Sequence, residues 1–269
     1  MSVAALCRRY QVTRAGFYAA RRRGKSAHHQ QNQELARAIL RVFRAHQGRY
    51  GSPRIWRVLQ AEGWTVSRRR IAQLMHAAGL RARAVRGVRT KVKIHHLYAR
   101  HPNRLWDLSV TRVNQVWVGD ITFLKVDSGW RYLAIVMDQY SRRILGWTLT
   151  KRRTSAVVCQ ALSKAAAHRP TRGVIFHSDR GSRYMGAPFG DRLSALGLQQ
   201  SANVRGPGDN AHAESFFHTL KAELTRGVHF ATDRHLRGRL QRYMTYYNLT
   251  RLHSALQYVS PIAFECRIA

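Results

Sequence analysis

Hydrophobic residues recur at two different spacings along the chain, and the change of spacing divides it into two parts. In the first part, helical spacing predicts a helix over residues 30–46 and a helix-turn-helix over residues 53–78. Ser67 is typical of a helix N-cap, and Gly63 and Gly79 are typical of helix ends. This part of the chain is therefore expected to be all-α.

A shorter helical pattern precedes this region, and a segment without a pattern follows it. In residues 1–23 we expect Leu6 and Val12 to pack and Thr13 to cap a helix. Residues 81–106 contain scattered Arg, Lys and His residues with no clear period, which is typical of a linker. The sequence thus predicts a small helical segment, a helix-turn-helix and a basic connection.

From residue 116 the spacing changes to that of strands and longer helices. Strands are predicted over residues 116–126, 130–138, 144–150, 173–179 and 199–202, and helices over residues 154–168, 187–197, 210–225 and 233–249. The first of these strands is apolar on both faces, with Trp117, Ile121 and Phe123 on one of them, so we expect it to be central. Antiparallel strands followed by a crossover helix and further strands predict a mixed α/β sheet flanked by helices.

The charge of the chain indicates the kind of partner. There are 47 Lys and Arg residues against 13 Asp and Glu, a formal net charge of +34. A folded chain with this charge repels itself, so a polyanion is expected, and nucleic acid is the first candidate. Arg68, Arg69, Arg70 and Gln73 begin the second helix of the helix-turn-helix, where a recognition helix contacts the major groove of DNA. The alternative is a plain helical hairpin with a solvated basic face, but the whole segment is basic, which favours DNA contact.

Composition also excludes several classes of protein. No apolar run is long enough for a membrane span, and no apolar stretch follows the basic start as in a secretory signal. Cys7, Cys159 and Cys266 are far apart in sequence, so neither a disulfide framework nor a structural zinc site is expected. We expect a cytoplasmic, nucleoid-associated protein with no membrane partner.

Three acidic residues occupy positions that are unusual for a solvated carboxylate. Asp120 lies in an apolar strand, where an unpaired charge is costly, so either a cation or an arginine must compensate it. Asp179 ends a strand, at a sheet edge where ligands bind, although a loop or cap role is the alternative. Glu214 shares a helix face with His218 and Lys221 by i, i+4, i+7 spacing, and an ordinary surface ion pair is the alternative.

Together the three carboxylates indicate one chemistry. Two strand carboxylates and one helix carboxylate can meet at one edge of a sheet, and three like charges in one pocket require cations. Two Mg²⁺ ions bind through carboxylate oxygens and water. Such a site stabilises the attacking and leaving oxygens when a phosphodiester is cut or joined. The sequence therefore predicts a nucleic-acid phosphoryl-transfer enzyme.

Around these residues the sequence resembles transposases of the insertion sequence three family, in particular the second-reading-frame product, which carries a retroviral-integrase-like core. The matching motifs are W-V-G-D-I-T at Asp120, H-S-D-R-G-S-R-Y over residues 177–184, D-N-A-x-x-E-S-F-F-x-T-L-K over residues 209–221, Y-N-x-x-R-x-H-S-A-L over residues 247–256, and Y-G-S-P-R-I with M-H-A-A-G-L in the first part. They span nearly the whole chain. One departure is Gly206-Pro207-Gly208, where relatives often have Cys-Trp, and it alters the loop before the catalytic helix but not the ligands.

The resemblance implies an α/β, ribonuclease-H-like mixed-sheet catalytic domain preceded by a small all-α helix-turn-helix region. It implies that Asp120, Asp179 and Glu214 are the ligands of two Mg²⁺ ions, with Mn²⁺ as a substitute, and that Lys221 contacts DNA near the scissile phosphate. Asp138 also matches a family position and is expected to be structural, pairing with Arg142 or Arg143. The expected divisions are an N-terminal helical segment (1–25), the helix-turn-helix DNA-binding region (26–82), a basic linker (83–106) and an integrase-type core with C-terminal helices (107–269).

The same resemblance implies the reaction and its partners. A DNA transposase would cleave a strand at the end of its element and join it to target DNA, as a homo-oligomer that brings two ends together. A protein from the first reading frame is the further partner that the family suggests. One alternative is a ribonuclease-H-type nuclease that only hydrolyses, and another is a catalytically dead DNA-binding regulator. The basic helix-turn-helix argues against the first, and the intact carboxylate trio argues against the second.

Overall fold

The structure is a computed structural model that describes residues 2–22, 27–83, 102–203 and 210–268. The chain separates into two compact units, Met1–Arg83 and Ala84–Ala269. Most of the predicted linker lies outside the described residues, as do Gly206-Pro207-Gly208 and the predicted helix cap at Asp209. The end of that predicted linker belongs to the core instead, because the Arg104 N–H donates to Ser201 Oγ at 2.9 Å.

The first unit is all-α, as predicted. Its helices are α1 (Val3–Arg9), α2 (Arg14–Arg22), α3 (Ala27–Ala45), α4 (Ser52–Ala61) and α5 (Arg68–Ala77). A shared apolar core joins the last three helices through Leu35, Ile39, Val42, Ile55, Leu59, Ile71 and Met75. The predicted cap is confirmed, since Ser67 Oγ accepts a hydrogen bond from the Arg70 N–H at 3.2 Å. The predicted stops at Gly63 and Gly79 have positive φ angles of 88° and 66°, which glycine adopts without strain.

The prediction for residues 1–23 is partly wrong. The Thr13 cap is confirmed, because its Oγ1 accepts a hydrogen bond from the Gly16 N–H at 3.0 Å. Leu6 and Val12, however, are 38% and 50% exposed, and the buried side chain of this segment is Cys7. The segment is two short helices with a small contact area, and so few apolar residues give the periodicity little power to assign the inward face.

The second unit is built on a five-stranded mixed sheet, as predicted. The strands are β1 (Val116–Val126), β2 (Gly129–Asp138), β3 (Ile144–Thr150), β4 (Ile175–Ser178) and β5 (Gln199–Ala202). Their order is β3-β2-β1-β4-β5, which places β1 at the centre. Strands β1, β2 and β3 are antiparallel neighbours, whereas β4 and β5 continue the sheet in parallel with β1.

Helices cover both faces of this sheet. The helices of the unit are α6 (Ser155–Ala166), α7 (Ser182–Met185), α8 (Ala187–Ala195), α9 (Ala211–Leu220), α10 (Asp233–Leu249) and α11 (Pro261–Ile268). On one face α6 and α8 pack against Trp117 and Phe176, and on the other face α9 and α10 pack against Val116 and Val118. Helix α6 lies directly against β3, because a Cβ added at Gly146 would be 2.2 Å from the Ala161 carbonyl oxygen.

Three features differ from the prediction. The helix predicted over residues 210–225 ends as α9, and Lys221–Thr225 form a π-helical turn. Helix α11 was not predicted, and Glu265 holds it to the β2–β3 connection by accepting hydrogen bonds from Ser141 Oγ at 2.7 Å and Arg143 Nη1 at 2.6 Å. Phe123, predicted on a buried face of β1, is 54% exposed.

Asp138 forms no direct salt bridge with Arg142 or Arg143 among the described residues, although its charge acts to raise the pKa of Arg142. Its carboxylate accepts backbone N–H groups, from Asn114 at 2.7 Å and from Tyr140 and Ser141 at 2.9 Å. Asp138 therefore shapes the turn after β2, in a structural role as expected but with different partners. The three cysteines are free. Among the described residues, no helix combines the length and the apolar character needed to cross a bilayer.

Candidate active site

The pairing of β1 with β4 brings Asp120 and Asp179 together. The parallel register runs from Val116 opposite Ile175 to Gly119 opposite Ser178, and Asp120 and Asp179 are the next residues on the two strands. Side chains two residues apart on a strand share a face, so Asp120 lies on the face of Val118, which packs with α9 and α10. The strand geometry therefore places the two aspartates side by side at the end of β4, on one face of the sheet.

Glu214 reaches the same face from α9. The N-cap residue Asn210 is buried, and its Nδ2 donates a hydrogen bond of 3.2 Å to the carbonyl oxygen of Gly119, directly before Asp120. The apolar side of α9, including Ala213 and Phe217, packs into the core below this face. Glu214 lies in the first turn of the helix. The helix start is thus tied to the strand that carries the first aspartate.

The charges of Asp179 and Glu214 act on Asp120. The pKa of Asp120 is raised to about 7, first by burial and then by the negative charges of Asp179 and Glu214. A hydrogen bond of 2.7 Å from the Ile121 N–H works in the opposite direction. Burial also raises the pKa of Glu214, and the charge of His218 partly offsets it. A site in which like charges raise a pKa in this way favours a cation.

The carboxylates are close but do not form a closed metal site. Among the described residues, no three His, Cys, Asp or Glu side chains are grouped tightly enough to hold a metal ion. Asp179 Oδ1 accepts a hydrogen bond from the Gly181 N–H at 3.0 Å, and Asp120 Oδ1 is bonded to its own strand. The Tyr184 hydroxyl is buried within range of both aspartate charges and has no hydrogen-bond partner in the described part of the chain. The site therefore holds hard oxygen donors and an unsatisfied polar group, which suits a hydrated divalent cation.

Lys221 lies beside this site. It is the first residue of the π-helical turn that follows α9, and the charge of Asp120 acts to raise its pKa against the lowering caused by burial. Its Nζ also lies 4.7 Å from the centre of the Phe123 ring. Lys221 thus lies near Asp120, whereas the spacing indicated only that it shares a helix face with Glu214 and His218.

Two groups near the site were not predicted. Arg153, in the connection between β3 and α6, is exposed and close enough that its charge lowers the pKa of Asp120. Glu223, in the π-helical turn, is buried and accepts hydrogen bonds from Arg251 Nη2 at 2.8 Å and from the Tyr243 hydroxyl at 3.0 Å. Local spacing reveals neither group, because Arg153 is distant from Asp120 in the sequence and the partners that bury Glu223 lie 20 and 28 residues after it.

The predicted DNA contacts of the first unit differ in their surroundings. Arg68, Arg69 and Gln73 are exposed on α5. Arg70 is half-buried, and its Nε donates a hydrogen bond of 2.9 Å to Asn32 Oδ1 on α3. Arg70 therefore also joins two helices of the unit, whereas the other three side chains are fully available at the surface.

The mixed sheet with a central β1 and adjacent acidic residues at the end of β4 defines a ribonuclease-H-like enzyme core. Family models agree: an integrase core domain matches residues 110–206, a second integrase core model matches residues 199–261, and an HTH-like domain matches residues 30–87.

Full-length relatives identify the family. The chain is 36% identical to the transposase InsF for insertion sequence IS3A of Escherichia coli strain K12, over 98% of this chain and 94% of that protein. It is 37% identical to the transposase for insertion sequence element IS904 of Lactococcus lactis strain IL1403, over 86% of this chain and 93% of that protein. The chain belongs to the IS3 family of transposases and is a DNA transposase.

Solved structures of retroviral integrases are more distant. The HTLV-2 integrase catalytic core domain in complex with magnesium is 15% identical, with a TM-score of 0.44 over 57% of this chain and 97% of that one. A simian T-cell lymphotropic virus intasome in complex with PP2A regulatory subunit B56 gamma is 18% identical, with a TM-score of 0.48 over 85% of this chain and 73% of that one. Both TM-scores are below 0.5 and add nothing to the family assignment.

Proposed function

We propose that Asp120, Asp179 and Glu214 are the catalytic carboxylates of this transposase and hold two Mg²⁺ ions, for which Mn²⁺ can substitute. The observation that carries the proposal is the register of β1 and β4, in which Asp120 and Asp179 are the next residues after the last paired positions. The bond from Asn210 to Gly119, which ties the start of α9 to β1, and the influence of the Glu214 charge on Asp120 support Glu214 as the third carboxylate.

The chain's own groups have distinct roles in this proposal. When bound, the cations would supply positive charge to both oxygens of an in-line phosphodiester displacement. Asp120 and Asp179 would bind the cations from the rigid sheet, and Glu214 would complete the site from α9. Lys221 and Arg153 bind the DNA phosphates beside the scissile bond. Water is the first nucleophile and frees a 3′-hydroxyl at the element end, and that hydroxyl then attacks a phosphodiester of the target and expels a second 3′-hydroxyl.

Strand transfer is the reaction that separates this proposal from its alternatives. We expect a duplex end with a free 3′-hydroxyl to yield longer, joined strands when Mg²⁺ or Mn²⁺ is present, and none with EDTA. The matched control is an otherwise identical end whose last nucleotide lacks the 3′-hydroxyl. This end can bind to the protein but cannot attack the target DNA. Denaturing electrophoresis of labelled ends measures the products.

Each of the other outcomes of this assay would indicate a different class of protein. Only shorter fragments from the pre-cut end would identify a hydrolytic nuclease of the ribonuclease H type. DNA binding with no metal-dependent product would identify a catalytically dead regulator. Joined products that persist in EDTA would contradict the metal site.

We also propose that α5 contacts DNA through Arg68, Arg69 and Gln73. Replacing Arg68 and Arg69 together by alanine is expected to weaken binding to all sequences and to lower the slope of log affinity against log salt by about 2. Gln73→Ala is expected to relax sequence preference without changing that slope. Fluorescence anisotropy across a salt series measures both effects.

Arg70 provides the contrast in this experiment. Because its guanidinium bonds to Asn32, Arg70→Ala is expected to lower the melting temperature of the protein, whereas Arg68→Ala and Arg69→Ala leave it unchanged. An unchanged salt slope in the double variant would rule out α5 as a phosphate-binding helix.

The active assembly is proposed to contain several copies of the chain and a first-reading-frame partner. Two element ends must be held together for joining, and one catalytic site serves one end at a time. The family relationship supports the partner protein, which would contribute to recognition of the ends.

A further inference from the structure

The hairpin formed by β1 and β2 carries two large aromatic side chains that the core does not cover. Phe123 and Trp130 are 54% and 51% exposed, and they lie against each other edge to face, with ring centres 5.1 Å apart. Aromatic side chains of this size are normally buried, so two in contact at the surface mark a binding surface.

The position of the pair follows from the sheet. Strand β4 pairs with β1 only as far as Gly119, so in the described part of the chain the rest of β1 has a neighbouring strand only on its β2 side. Phe123 is three residues beyond Asp120 on this open-edged segment. By the two-residue period of a strand, Phe123 lies on the opposite face of β1 from Asp120. Lys221, which is influenced by the charge of Asp120 and lies near the Phe123 ring, connects the two faces around the open edge.

Two lysines lie close to the rings. Lys221 Nζ lies 4.7 Å from the centre of the Phe123 ring. Lys125 is opposite Trp130 in the β1–β2 register, so it lies on the same face of the hairpin, and it is exposed. Exposed rings with positive charges beside them are typical of proteins that stack unpaired bases and bind the attached phosphates. A hydrophobic interface with another protein chain would instead exclude charges from its centre.

We propose that Phe123 and Trp130 bind an unpaired base of the DNA substrate on the exposed face of the β1–β2 hairpin, around the open edge of β1 from the catalytic site. The rings stack on the base, and Lys221 and Lys125 contact the flanking phosphates. This inference rests on the proposed position of the active site at Asp120. It assigns the hairpin a role in holding the frayed end of the element, so that the terminal nucleotide stays out of the duplex while its phosphodiester reacts.

A thermodynamic cycle between protein and DNA tests the proposal. The full chain and its Phe123→Leu/Trp130→Leu variant are titrated with two pre-cut ends that differ only in whether the unpaired terminal position carries a base or is abasic. We expect the variant to bind the base-containing end about tenfold more weakly, the size of one lost base–aromatic stack, and to bind the abasic end as the unchanged protein does. Trp106→Leu, at a tryptophan of the same unit that is 53% exposed, is the matched control and should not alter either affinity.

A spectroscopic readout reports the contact directly. With 2-aminopurine at the unpaired position, its emission should be quenched on binding to the unchanged chain and should recover in the Leu/Leu variant. Equal losses of affinity for both ends would overturn the proposal. A change in the oligomeric mass of the DNA-free protein in the variant would also overturn it, because it would identify the rings as a contact between copies of the chain. Failure of the catalytic proposal is distinguishable, because binding to the two ends is measured without turnover and does not depend on the carboxylates.

Discussion

Asp120→Asn is expected to lower strand cleavage and joining together by roughly 10²–10³-fold or more, while DNA binding stays intact. The amide removes one negative donor from the three-carboxylate site without changing the volume of the side chain. Because both reactions use the same site, their rates should fall in parallel. The rates are measured in single turnover on a labelled element end for cleavage and on a pre-cut end for joining.

The stability of this variant separates a catalytic role from a structural one. The pKa of Asp120 is raised to about 7 in the folded chain, above the value of 3.8 for an unperturbed group, so the folded state favours the protonated acid. The contribution of Asp120 to the free energy of unfolding is therefore fully present below pH 3.8 and is lost as the pH rises from there through about 7. Without metal at pH 8, Asp120→Asn should therefore melt at the same temperature as the unchanged chain or at a higher one.

Asp191→Asn, at an exposed position on α8, is the matched control and should retain activity. A variant that loses activity only because it unfolds would contradict the assignment.

The sheet and the two aspartates could be predicted because their signals are local. The bounds of β1, β3 and β5 follow from alternating or continuous apolar residues, and the carboxylates stand out against that background. The end of β4 was predicted to within one residue, but local patterns do not give its register along β1. Strand β4 pairs only with Val116 to Gly119, so the second half of β1 has one open edge, where Phe123 is exposed although its strand is central.

The end of the catalytic helix could not be predicted because tertiary contacts determine it. The residues from Lys221 to Thr225 have helical spacing, and the structure continues as a π-helical turn rather than as α-helix. Glu223 in this turn is buried against Arg251, which is 28 residues away in the sequence. Resemblance to the family pointed to the Y-N-x-x-R-x-H-S-A-L motif without indicating what its arginine does, and the structure assigns it to this contact.

Arg251→Met is expected to produce the largest loss of stability. Arg251 and Glu223 are both buried, with three hydrogen bonds between them of 2.8–3.1 Å. Burial alone would lower the pKa of Arg251, but the hydrogen bonds and charge of Glu223 outweigh it and raise that pKa. Removing one partner leaves a buried, uncompensated carboxylate, which costs about 3–5 kcal/mol. For a unit of this size that corresponds to a fall in Tm of roughly 10 °C, measured by calorimetry or circular dichroism.

A second substitution distinguishes the charge pair from simple loss of packing. Adding Glu223→Gln to Arg251→Met removes the stranded charge, so the double variant should recover much of the lost stability. Arg242→Met, at an exposed position of α10, controls for the loss of a positive charge and should leave Tm unchanged. Because the pair fixes the turn that begins at Lys221, the double variant should fold and bind DNA but join strands more slowly than the unchanged chain. Full activity in a folded double variant would show that the buried pair stabilises the turn without positioning Lys221 for the reaction.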